Sequence, residues 1–151
     1  MRFNWLGRTG VRVPELALGL GTQVGTADFD AKVSLSLDAG VCLIDTADAY
    51  SDGKSEELLG EVLVGRRNRV LLSTKATYRV GPGENDLGSS RLHLVAACEA
   101  SLKRLRTDWI DLYQFHKPDP LTPIDETLRA LDDLVRQGKV RYIGVSNMPA
   151  W

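Results

Sequence analysis

The chain has 151 residues, 43% hydrophobic and 26% charged, which is the profile of a globular domain and excludes a disordered, collagenous or disulfide-stapled chain. Nineteen Lys and Arg stand against 20 Asp and Glu, so the net charge of −1 leaves no basic excess for nucleic acid. No apolar run approaches the roughly 18 residues of a membrane span, and Met1 to Gly7 lacks the long apolar stretch of a secretory signal.

Residues 3–14 read as a β-hairpin, with Arg8-Thr9-Gly10 as the turn and Pro14 closing it. Leu16 to Leu20 is a short strand. Phe29, Val33 and Leu37 recur every four residues across 28–39 and predict a helix face, with Gly40 at its C-terminal cap. Val41-Cys42-Leu43-Ile44 is a continuous apolar run, the pattern of a strand buried on both faces. Ser55 reads as the N-cap of the next helix, with Glu56 and Glu57 in its first turn. Val70 to Thr74 is a third strand, followed by a Gly, Pro, Asn and Asp-rich loop over about 79–89. A helix starts near Ser90, with Val95, Cys98, Leu102 and Leu105 as its face. Ile110 to Phe115 is a fourth strand. Thr122-Pro123 opens another helix with Pro at the first helical position. Its predicted face is Ile124, Leu128, Leu131 and Val135, and Gly138 ends it. Val140 to Val145 is a fifth strand.

Strand alternates with helix and no linker intervenes. The pattern predicts one α/β domain over 1–151, with the hairpin at 3–14 and five βα units over 15–151 on a parallel sheet. The cysteines, Cys42 and Cys98, fall inside apolar patterns, as reduced core thiols of a cytoplasmic protein do.

In parallel α/β folds chemistry collects at the C-terminal strand ends. Asp45 follows the second strand, Lys75 the third, His116 the fourth and Ser146-Asn147 the fifth, while Tyr50 lies five residues past Asp45. Each alone has a structural reading: a capping acid, a surface lysine, a loop histidine, a packing tyrosine, an N-cap pair. Together at one rim they suit protonation of a carbonyl oxygen. A tyrosine hydroxyl is a weak acid near pH 7, and an ammonium beside it stabilises its anion. A carboxylate holds that ammonium in place, and a histidine orients the carbonyl oxygen. Serine and asparagine suit an amide, and hydride has to come from a cofactor. The only histidines are His93 and His116, so no metal-ligand cluster is expected. Gly19-Leu20-Gly21-Thr22-Gln23-Val24-Gly25 is similar to a dinucleotide fingerprint. Val24 stands in place of its last glycine, however, and a Rossmann reading leaves Tyr50, Lys75 and His116 without a role.

Four motifs carry a family resemblance. Asp45-Thr46-Ala47-Asp48-Ala49-Tyr50 with Ser55-Glu56-Glu57-Leu58-Leu59-Gly60 resembles the signature of aldo-keto reductases. Leu112 to His116 and Gly138 to Asn147 resemble that family's later motifs, and Leu6 to Gly10 its N-terminal hairpin. The resemblance implies a (β/α)8 TIM barrel whose bottom the hairpin closes, and NADPH-dependent reduction of aldehyde or ketone carbonyls. It implies Asp45, Tyr50, Lys75 and His116 as the catalytic set, with Tyr50 donating the proton. Ser146 and Asn147 would hold the nicotinamide carboxamide, and Gly21, Thr22 and Asp45 would lie near the cofactor ribose. Gln23, Tyr50, His116 and Lys117 would wall the substrate pocket. Many members carry aromatic residues where this chain has Gln23 and Lys117, which implies a more polar pocket here.

A TIM barrel needs eight βα units and typically about 250 residues. Five strands are present, so about three units are expected to be absent. In the family these supply a glutamine and an aromatic residue for the nicotinamide ring and a basic loop for the adenosine 2′-phosphate. An unclosed barrel exposes strand edges and interior, which predicts self-association through those edges. The alternative to catalysis is a weakly active or inactive cofactor-binding or interaction module.

Overall fold

The computed structural model describes residues 1–21 and 29–149. β1 (Phe3–Trp5) and β2 (Arg12–Pro14) pair antiparallel, with Phe3 opposite Pro14. The turn between them closes where Thr9 donates both its N–H and its hydroxyl to the Leu6 carbonyl. The remaining strands are β3 (Leu18–Gly19), β4 (Leu43–Asp45), β5 (Leu71–Ala76), β6 (Ile110–Phe115) and β7 (Val140–Val145). They lie side by side in chain order, every neighbouring pair parallel. The helices α1 (Phe29–Asp38), α2 (Lys54–Val62), α3 (Arg91–Arg104) and α4 (Ile124–Arg136) are the crossovers between them, with one turn of 3-10 helix at Arg67–Arg69.

Side chains alternate across a strand. Ile44, Leu72, Ala76 and Tyr113 therefore share the helix-covered face, where they join Val33, Leu59, Leu94, Leu131 and Leu134 in one buried core. The register sets Asp45, Ser73, Lys75, Leu112, Gln114 and Gly144 on the opposite face. At the N-terminal strand ends the hairpin crosses that second face. There Leu6, Val11 and Val13 bound an apolar cavity of about 220 Å³ with Leu43, Leu71, Leu112 and Tyr142.

Four expectations need correction. The apolar run at 41–44 is not a strand buried on both faces: β4 begins at Leu43, which is only half-buried on the uncovered side. Ser55 is not an N-cap, because Gly53 holds that place in a left-handed conformation. The Ser55 hydroxyl lies inside the first turn, 2.9 Å from Thr46 Oγ1 and 3.1 Å from the Leu20 carbonyl that accepts from it. In α3 the deeply buried residues include His93, Leu94, Ala97 and Cys98, while Val95 and Leu102 are only partly covered. In α4 Pro123 is the N-cap, and Thr127, Ala130, Leu131 and Leu134 are buried. Ile124 (54% exposed) and Leu128 (47%) point away from the sheet.

Within the five-stranded sheet the exposed large apolar side chains are at β7. Ile143 and Val145, which alternation places toward the helix side, are 43% and 58% exposed. Among the described residues β3 and β7 are each paired on one side only.

Candidate active site

Parallel pairing fixes the heights of the polar residues. Asp45 is opposite Ser73, and Lys75 is opposite Gln114. These four groups form one network. Lys75 Nζ donates to Asp45 Oδ2 at 2.5 Å and to the Thr46 carbonyl at 2.8 Å. Asp45 Oδ1 accepts from Ser73 Oγ at 2.7 Å and Gln114 Nε2 at 3.2 Å. Gln114 Nε2 also donates to Ser73 Oγ at 2.8 Å. The Lys75 side chain is 7% exposed against 29% for Asp45, so the ammonium is the more desolvated partner and needs its counter-ion more.

Tyr50 arrives on a loop tied to β5. Thr46 N–H donates to the Ser73 carbonyl, and Asp48 N–H to the Lys75 carbonyl at 3.0 Å. Tyr50 N–H closes onto the Ala47 carbonyl at 3.2 Å. The loop thus returns the tyrosine over the end of β5, with Lys75 Nζ 5.3 Å from its ring centroid. His116 follows β6, its N–H donating to the Ala76 carbonyl. Its ring meets Tyr50 edge to face at 5.7 Å between centroids. Burial, then the nearby Lys75 and Lys117 ammonium groups, push the His116 pKa down to about 4 against the pull of Asp45. The imidazole is therefore neutral at pH 7, with Nδ1 buried and unpartnered.

Ser146 and Asn147 follow β7 at the same rim. Ser146 N–H donates to the Phe115 carbonyl. Asn147 sits in the left-handed region (φ 56°), and its Nδ2 donates to the His116 carbonyl at 2.9 Å and to Ser146 Oγ at 3.0 Å. Gly21 stands beside Asp45, because the preceding Leu20 N–H donates to the Asp45 carbonyl at 2.8 Å. Thr22 and Gln23 lie outside the described residues. The structure thus brings Asp45, Tyr50, Lys75 and His116 together, with Ser146 and Asn147 on the flank.

Four contributing residues escaped the sequence reading. Ser73 and Gln114 lie inside strands, two positions from Lys75 and Leu112, and period-two alternation could have found them. Tyr78, in the loop after β5, packs edge-on against His116 at 4.6 Å between centroids. No sequence signal ties it to His116. Asp48 is 2% exposed, and neither carboxyl oxygen meets the geometry of a hydrogen bond. Burial raises its pKa to about 7, helped by Glu56 and opposed by Arg104, the Ala49 N–H and Lys75. Glu56 itself is fully buried and satisfied by Arg104 at 2.7 Å and Thr74 Oγ1 at 2.6 Å. Among the described residues no three His, Cys, Asp or Glu converge as a metal set.

The family model for the aldo/keto reductase family matches residues 17–151, nearly the whole chain. The chain belongs to the aldo-keto reductase family. Among curated relatives of this aldo-keto reductase chain, aldo-keto reductase YhdN of Bacillus subtilis is 40% identical over 97% of this chain and 47% of its own length. A probable voltage-gated potassium channel subunit beta of Oryza sativa is 38% identical over 99% of the chain and 48% of its own length. The structure of the aldo-keto reductase AKR11C1 from Bacillus halodurans, in its holo form, superposes with a TM-score of 0.90 at 34% identity. It covers 98% of this chain and 51% of that one. The chain spans about half the length of the curated relatives it matches. Its five parallel strands and their helices are the corresponding part of the family's α/β barrel.

Proposed function

We propose that the protein is an oxidoreductase reducing aldehyde or ketone carbonyls to alcohols with NADPH. The observation that carries this reading is the convergence of the Asp45–Lys75 pair, the Tyr50 ring and a neutral His116 at one rim. Asp45 orients Lys75. The Lys75 ammonium faces the Tyr50 ring, where it opposes the negative charge left when the phenol gives up its proton. His116, uncharged, supplies an N–H to the carbonyl oxygen without competing as an acid. The carbonyl oxygen takes the proton of Tyr50, and the carbonyl carbon takes a hydride.

The residues present fit a nicotinamide. A carboxamide needs one donor and one acceptor. Ser146 Oγ already accepts from Asn147 Nδ2, which leaves its own hydrogen to donate, and Asn147 Oδ1 stands ready as acceptor. Gly19, Asp45, Ser73, Lys75 and Gln114 line a groove of about 370 Å³ on the same face of the sheet as the Asp45–Lys75 pair. When bound, the reduced cofactor supplies the hydride and its electron pair. Gly21, Thr22 and Asp45 would serve the ribose.

We place residues 1–151 in one domain working in the cytoplasm. Supporting that compartment, Cys42 and Cys98 are unpaired, and burial raises the Cys98 thiol to about 12. No helix among the described residues is long and apolar enough to cross a membrane.

A second reading, an interaction module with little turnover and capable of self-association, is favoured by the 38% identity to a probable voltage-gated potassium channel subunit beta. Label transfer separates the two readings. NADPH deuterated at the transferred C4 position and a reactive aromatic aldehyde should give alcohol carrying deuterium on the carbinol carbon. Unlabelled alcohol, or none from folded protein, would reject the reductase reading.

A further inference from the structure

We infer that Lys117 is an anion anchor, so that the carbonyl compound taken at this site carries a carboxylate or phosphate group near its carbonyl. The inference rests on the reductase reading for the carbonyl and adds the substrate class.

Lys117 directly follows His116 at the end of β6. Its Nζ lies over the Tyr78 ring, 4.6 Å from the centroid, and the Tyr78 ring packs edge-on against the His116 ring. One aromatic ring therefore separates the ammonium from the imidazole. The cation–π contact holds an otherwise flexible side chain in place. Its field reaches the imidazole, since Lys117 is among the charges that disfavour a proton on His116.

Lys117, held over the Tyr78 ring beside His116, has no counter-ion among the described residues. Lys75 has Asp45, and Arg91 has Asp133. Arg79 donates to the carbonyls of Gly81 and Gly83. No carboxylate among the described residues pairs with Lys117. The acid nearest in sequence, Asp119, is engaged elsewhere. It accepts from Ser89 N–H and Oγ, from Leu121 N–H and from Thr122 Oγ1, which hold it as a brace between two loops. The rim beside His116 thus carries a positive charge, held over the Tyr78 ring, that no carboxylate among the described residues matches. An unmatched charge beside a site attracts and orients a ligand of opposite sign. With the carbonyl oxygen at His116 and Tyr50, an anionic group across the Tyr78 ring meets the ammonium. A neutral carbonyl compound gains nothing there.

Ligand binding to the full 151-residue chain tests this by the imidazole CH resonances of His116, assigned by comparison with His116→Gln. The probes are 4-carboxybenzyl alcohol, 4-(hydroxymethyl)phenyl phosphate and the neutral methyl 4-(hydroxymethyl)benzoate. The expected result is that an anionic alcohol shifts His116 at concentrations about fivefold below those of the ester, the scale of a partly solvated ion pair. The tighter of the two names the anion. Lys117→Met should abolish the preference and Lys117→Arg keep it. No shift of His116 with any probe, equal binding of all three, or a preference that survives in Lys117→Met would overturn the inference. Anion-selective binding without label transfer would instead leave the anchor standing and reject the reductase reading.

Discussion

Lys75 and Asp45 occupy adjacent strands with Nζ 2.5 Å from Oδ2, and the same carboxylate is held on its other oxygen by Ser73 and Gln114. The ammonium is thus fixed by a carboxylate that is itself fixed. Asp45→Ala leaves a nearly buried cation unpaired, which should cost about 1–3 kcal/mol, discounted for the partial exposure of Asp45. Chemical denaturation of the variant beside wild type measures the loss. Gln114→Leu removes a single arm of the brace and should cost about 1 kcal/mol.

Replacement of Lys75 by Met keeps the stem but deletes the charge facing Tyr50. The step in which Tyr50 gives up its proton should slow by at least about 100-fold, the range of a general-acid contribution. Single-turnover kinetics, in which binding and product release do not enter, reads that step. Unchanged rates would remove Lys75 from the chemistry.

Asp48 carries a carboxyl whose pKa is raised to about 7 from an ordinary 3.8. Between these values the folded state holds more protons than the unfolded one, so stability falls as pH rises from about 4 to about 7. Asp48→Asn mimics the protonated form. It should raise the melting temperature at pH 8, by the equivalent of about 4 kcal/mol, and leave it nearly unaltered at pH 4. A variant no more stable than wild type at pH 8 would show that Asp48 is not held against its charged form.

His116 titrates in the other direction. Its folded pKa of about 4 lies below the ordinary 6.5, so the stability tied to its neutral form is complete above about pH 6.5 and is lost as pH falls toward 4. Its imidazole resonances should therefore stay constant from pH 8 to about 6 and move only near 4. Lys117→Met should raise that midpoint, because one of the opposing charges is gone. A midpoint near 6.5 in the wild-type chain would contradict the burial described here.

The rim was legible in the sequence for a simple reason. Short apolar-rich segments alternating with helical patterns mark parallel strands, and a polar residue at the end of such a segment stands at the sheet's end. Asp45, Lys75, His116 and Ser146 were all located in that way. The faces of the helices were harder to read. In α4 the apolar stripe from Ile124 through Leu128 to Leu134 is wider than the sheet can cover. The buried part was decided by packing at Thr127 and Ala130, small residues that let the helix approach. Ser55 looked like a cap because caps and buried hydroxyl bridges use the same residue type. Tyr78 meets His116 through a loop path, and loops carry no periodicity. Asp48 is unusual only for the partners it lacks.

The most direct test of the central claim is NADPH oxidation with a reactive aromatic aldehyde by the purified 151-residue chain, run beside its Tyr50→Phe variant with folding checked for both. Turnover is expected in the wild type and its loss in Tyr50→Phe, where the ring remains and only the proton donor is gone. Equal turnover in the two, or none in a folded wild type, would contradict that claim.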